Sequence, residues 1–195
     1  MLAEPRLLTA YPWVTRRPTS VAEYYRMAEV GILSDRDRVE LIEGDIVAMA
    51  PIGSYHHGTV NQLTHSLVRA VGERAIVSVQ GPVHLDDFSE PEPDFALLKP
   101  RPDFYRDAHA QPEDVLLLIE VADTSLTYDR TVKRLLYARH AIPEFWIVDL
   151  TAAEVEICRD PRTDGYASVR RVGRADALEP VLLPGVRIPA VTLFR

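Results

Sequence analysis

Residues 114–121 read DVLLLIEV, five consecutive apolar side chains followed by Glu120. A run this short and this aliphatic has the length of a strand and no polar face to offer water. It demands a central place in a sheet that is covered on both sides. That requirement commits the chain to a layered α/β architecture. The neighbouring pattern agrees. TYDRTVKRLLYARH, residues 127–140, reads as a helix with Val132, Leu135 and Leu136 toward the core, and EFWIVDL, residues 144–150, reads as a second buried strand.

Upstream, Ser20 with Glu23 three residues on forms a capping box, and Gly31 is placed to end that first helix. In DRVELIEGDIVAMAP two apolar stretches flank Glu43-Gly44, a β-hairpin signal. Residues 55–73 read as a helix with Val60, Leu63, Leu67, Val68 and Val71 in one stripe. AIVSVQGPVHL reads as strand, turn, strand, and DFALL as a short strand after Pro93. The proline-rich, charged residues 99–114 read as an exposed loop. Beyond residue 151 short strands alternate with turns at Asp164-Gly165 and Pro184-Gly185. The expectation is one domain over residues 1–195 of mixed α/β (α+β) class. Its mixed central sheet is flanked by helices over about residues 19–150, and a β-rich C-terminal extension follows over 151–195.

Composition narrows the function classes. A formal net charge of −7 argues against strong, indiscriminate nucleic-acid binding, which depends on Lys and Arg neutralising phosphates. No apolar run reaches the length of a membrane span, and the N-terminus lacks the pattern of a signal peptide. The single cysteine, Cys158, cannot form an intramolecular disulfide, which suits a cytoplasmic protein, and its strand context reads as burial. No Gly-rich phosphate loop, GxSxG elbow or CxxC pair occurs.

The chemistry is in the carboxylates. Strand alternation puts Glu120 on the same face as Leu116, Leu118 and Ala122, where an ionised acid is costly unless paired or metal-bound. Asp94 opens the strand after Pro93. If the two strands are neighbours, both acids converge at one sheet end and suit a hard divalent cation such as magnesium, which keeps several waters. Lys133, with Asp129 one turn before it, lies on the following helix and would steady negative charge developing on phosphate. Each residue has a plainer reading. Glu120 would pair an arginine, Asp94 would cap a turn, and Asp129 with Lys133 would be an ordinary i,i+4 pair worth about 0.2–0.5 kcal/mol. Among the histidines, His56 and His57 open a helix where imidazole can reach a metal or phosphate, and His57, Asn61 and His65 share one face. No third and fourth ligand stands at zinc spacing.

VELIEGDIVAMAPIGSYHH, VQGPVHLDDFSEPEPDFALL and LLIEVADTSLTYDRTVKRLLYARHAIPEFWIVDL together resemble the Uma family, restriction-endonuclease-like proteins of the PD-(D/E)xK kind. The resemblance spans residues 19–150, and the tail also fits. It implies a restriction-endonuclease-like core. Its PD falls on Pro93 and Asp94 and its metal-binding Glu on Glu120. An ExK lysine would stand at Ala122, so the lysine is carried over to Lys133 on the next helix. Glu40, Gln80 and the SxxH pair Ser54 and His57 are carried over as pocket residues.

The reading that follows is a divalent-metal-dependent nuclease acting on DNA. Asp94, Glu120 and the Val121 carbonyl would hold Mg2+ or Mn2+, Lys133 would orient the attacking water, and a homodimer would let the fold cut two strands. The alternative is a non-catalytic binding or regulatory module retaining the fold; a third is a hydrolase of small phosphate esters, which a narrow pocket would favour. A basic groove beside Asp94 and Glu120 would favour the enzyme, and an acidic or closed cleft the module.

Overall fold

A computed structural model of the chain describes residues 15–34 and 36–194. Helix α1 (Val21–Glu29) begins at the Ser20–Glu23 capping box, with both reciprocal bonds in place. Strands β1 (Val39–Ile42) and β2 (Asp45–Ala48) form the expected hairpin. Its turn residues Glu43 and Gly44 both have positive φ, as a tight two-residue turn requires. A Cβ on Gly44 would also strike Pro18, so glycine is needed there twice over.

Helix α2 (Ser54–Val71) follows, then β3 (Ile76–Val79), β4 (Phe95–Leu98) and β5 (Val115–Ala122). A short helix α3 (Leu126–Tyr128) continues through a π-helical turn (Asp129–Lys133) into α4 (Arg134–Arg139). The chain then runs through β6 (Glu144–Asp149), β7 (Glu154–Arg162), β8 (Gly165–Gly173), β9 (Ala177–Leu178) and β10 (Ile188–Pro189). The main sheet has six strands in the order β3-β4-β5-β6-β7-β8. Only β5 and β6 are parallel, joined by the α3–α4 crossover; every other pairing is antiparallel. This is the expected mixed sheet, and β5 is buried along its whole length. The C-terminal strands β7 and β8 extend the same sheet.

One face of the sheet packs against α2 and the C-terminal segment, through Leu63, Leu67, Leu117, Ile119 and Trp146. The other packs against α4 and the loops, through Leu118, Leu136, Tyr137, Phe145 and Ile147.

Four local expectations are corrected. GPVHL is not a strand: Val83 makes a single bridge to Ala110, and residues 80–93 wrap as loop with Val83 and Leu85 buried. Leu116 leaves the Glu120 face, because the β4–β5 ladder shifts between Leu97 and Leu98 and Leu98 pairs with Val115. Val68 is exposed, because the buried stripe of α2 runs through Thr59, Val60, Leu63, Leu67 and Val71. Val132 is 37% exposed while Asp129 and Lys133, at 3% and 4%, occupy the inner face.

Candidate active site

The β4–β5 register sets Phe95 opposite Ile119, so Asp94, one residue before β4, stands opposite Glu120. The two are joined through the main chain. The Asp94 N–H donates to Glu120 Oε2 at 3.3 Å, and the Val121 N–H donates to Asp94 Oδ2 at 2.8 Å. Gln80 Nε2 donates to Asp94 Oδ1 at 3.2 Å, and His56 Nε2 lies 3.1 Å from Asp94 Oδ2. The acid is thus gripped from three sides.

Lys133 enters from the π-helical turn. Its Nζ lies 2.5 Å from Glu40 Oε2 and 3.3 Å from Glu120 Oε1. The Tyr137 hydroxyl, one turn further along, donates to Glu120 Oε1 at 2.8 Å. Glu40, on β1, also accepts the Glu92 N–H at 3.2 Å and the Tyr128 hydroxyl at 3.4 Å. A π turn takes one residue more than an α turn and so rotates the side chains that follow it. Here it accompanies the inward placement of Asp129, whose Oδ2 accepts the Ser125 hydroxyl at 2.6 Å, together with Lys133.

Burial governs the electrostatics. It pushes Glu120 up to about 8; Lys133 opposes the rise, while Asp129, Asp94 and Glu40 add to it. Asp129 is raised to about 6 by burial, against the Ser125 hydrogen bond. Burial pulls Lys133 down, but the charges of Glu120 and Glu40 prevail and hold it above its ordinary value, as an ammonium. His56 is raised, first by its hydrogen bond to Asp94, with burial opposing. Burial and the charge of Glu40 raise Glu92.

All of these side chains except Tyr137, which is fully buried, line one cleft of about 430 Å³. Of the residues singled out in the sequence, it gathers Asp94, Glu120, Val121, Lys133, Glu40 and Gln80. His57 is not among them: it is exposed on the outer side of α2. His56 takes the inner place, because it continues the buried stripe at 60, 63 and 67 backward by one turn. That spacing was the signal available in the sequence. Tyr137 was signalled only by lying four residues after Lys133. Glu92, Asp123 and Tyr128, which line the cleft, had no such mark. The Nδ1 of His56 is buried without a partner.

The lining is strongly acidic. Glu40, Glu92, Asp94, Glu120, Asp123 and Asp129 face Arg38, Lys133 and His56. Among the described residues no three His, Cys, Asp or Glu side chains are arranged as a ready metal cage. The carboxylate oxygens of Asp94 and Glu120, held side by side, are of the chemistry that suits a hard cation retaining its waters. Among the described residues no helix is long and apolar enough to cross a membrane.

The family model Uma2, described as "Putative restriction endonuclease", matches residues 21–191. A crystal structure from Anabaena variabilis ATCC 29413, described as that of "a putative nuclease belonging to DUF820", superposes with a TM-score of 0.68 at 16% identity. The match covers 91% of this chain and 98% of that one. At that identity the likeness speaks for the fold. No curated protein matches the chain.

Proposed function

The chain belongs to the Uma2 family, and on that premise we propose that its cleft hydrolyses DNA phosphodiester bonds with a divalent cation. The observation that carries the reading is the meeting of Asp94, Glu120 and Lys133 in one cleft, although they come from two strands and a helix. Asp94, Glu120 and the Val121 carbonyl would hold magnesium or manganese, which when bound supplies a Lewis acid and lowers the pKa of its water.

The protein's own groups do the rest. Gln80 and His56 fix the Asp94 carboxylate. Tyr137 and Lys133 hold Glu120. Lys133 keeps its proton and offers a fixed positive charge where a phosphate in the cleft would gain negative charge. Glu40 positions Lys133.

Isothermal calorimetry with magnesium and manganese on wild type and Asp94→Ala, paired with nicking of plasmid DNA, tests the reading. Wild type should bind the ion and nick DNA, and Asp94→Ala should do neither. Lys133→Ala should bind the ion nearly as wild type does and lose nicking, since an ammonium cannot ligate a metal.

The acidic lining favours a second reading, a non-catalytic module retaining the fold. DNA binding with no metal-dependent nicking would select it. The lone buried Cys158 is compatible with a reducing cytoplasm.

A further inference from the structure

An acidic cleft repels a polyphosphate, so the substrate must be held by a surface beside it. Several arginines of the described residues are already occupied by carboxylates. Arg130 and Arg171 pair with Glu156, Arg159 with Glu144, Arg139 with Glu43 and Arg26 with Glu29.

Helix α2 offers an outer side free of such pairs. In a chain of net charge −7, its 18 residues, SYHHGTVNQLTHSLVRAV, contain no acid. Its first turn delivers His56 to Asp94, so the helix starts at the cleft. Its outer side carries His57, Asn61, His65 and Arg69 at successive intervals of four, all exposed. None of the four side chains makes a hydrogen bond or ion pair in the structure, in contrast to the arginines named above. At 1.5 Å per residue the row is about 18 Å long, a ridge of donors running away from the cleft. A face without acids and with unengaged donors is complementary in charge to a phosphate backbone, and it is continuous with the site through His56.

We infer that this face of α2 docks the sugar–phosphate backbone of duplex DNA and guides the strand into the cleft. The inference rests on the nuclease reading of that cleft. Because the contacts go to phosphate, the docking is independent of sequence and sensitive to salt.

Fluorescence anisotropy with a labelled DNA duplex, in calcium-free, magnesium-free buffer over a series of salt concentrations, tests it on the full chain. His65→Glu/Arg69→Glu should weaken binding about tenfold or more and flatten the salt dependence by roughly one phosphate contact. Asn61→Glu should act in the same direction. Arg170→Glu, exposed on β8 and far along the sheet, should bind as wild type does. Circular dichroism melts confirm folding, and these surface changes should leave the melting temperature essentially unchanged. If wild type binds and the α2 variants bind equally well, the docking face is wrong while the nuclease reading stands. If Arg170→Glu weakens binding as much as the α2 pair, the effect is one of net charge and the inference is overturned. If wild type binds no duplex at all, the docking inference falls, and metal-dependent nicking of plasmid DNA decides the nuclease reading by itself.

Discussion

Placing an ammonium group out of reach of water costs several kcal/mol unless it is well paired. Lys133 is paired twice, with Glu40 and Glu120. Replacing it with methionine keeps the bulk and strands two acids in the interior. Lys133→Met should therefore cost about 3–5 kcal/mol near pH 8, read by urea unfolding. A loss below about 1 kcal/mol would mean that the two acids are neutral without it. Glu120 supplies the pH dependence. Its carboxyl is raised from 4.5 to about 8 in the folded chain, so the folded state holds more protons than the unfolded one between those values. Its contribution to stability is whole below the unfolded value and is lost as pH rises through the folded value. Glu120→Gln cannot ionise and still offers an oxygen to Tyr137. Measured without metal, its stability should gain on that of wild type as pH rises from about 5 to about 8; parallel pH profiles would contradict the raised value. At this scale the acids were legible because an acid ending an apolar strand is conspicuous. His56 was obscured by its neighbour His57, since one residue of helical phase decides which histidine faces inward.

The helical segment of residues 126–139 shows how an element can mislead a periodic reading. Spacing of 3.6 residues puts Val132 inside, whereas the structure exposes it and buries Asp129 and Lys133 around a π turn. Nothing in the sequence announces such a turn, because its signature is a change of phase. Two truncations separate the alternatives. Val132→Ala should cost less than about 0.5 kcal/mol, as at an ordinary surface site. Leu136→Ala, fully within the second core, should cost about 2–5 kcal/mol. Comparable losses in chemical denaturation would restore the regular helix. Other elements were plain because their signals are local: the Ser20–Glu23 box and the Glu43-Gly44 turn need no tertiary partner. The segment after Gly81 misled for the opposite reason. Val83 and Leu85 alternate as in a strand, but Val83 is bridged only to Ala110 and both bury themselves as a loop wall.

At the scale of the whole molecule, negative charge gathers in the cleft beside Asp94 and Glu120. The chain carries −7 overall, and six carboxylates share one cleft with a single buried lysine, His56 and the exposed Arg38. Burial first, and the neighbouring carboxylates after it, raise Glu120, Asp129 and Glu92 above their ordinary values. A divalent cation would bind the folded chain alone, because unfolding separates Asp94 from Glu120. Mass action then stabilises the fold by about 2.7 kcal/mol at a hundredfold excess of free ion over Kd. Magnesium or manganese should accordingly raise the melting temperature of wild type, at constant ionic strength, and should do little for Asp94→Ala or Glu120→Gln. The gain should be larger at pH 8 than at pH 6, since an ion entering beside Glu120 must displace its proton at the lower pH. An equal rise in all three proteins would mark non-specific screening of the acidic surface, and the carboxylate pair would then be a structural partner of Lys133 with no ion to hold.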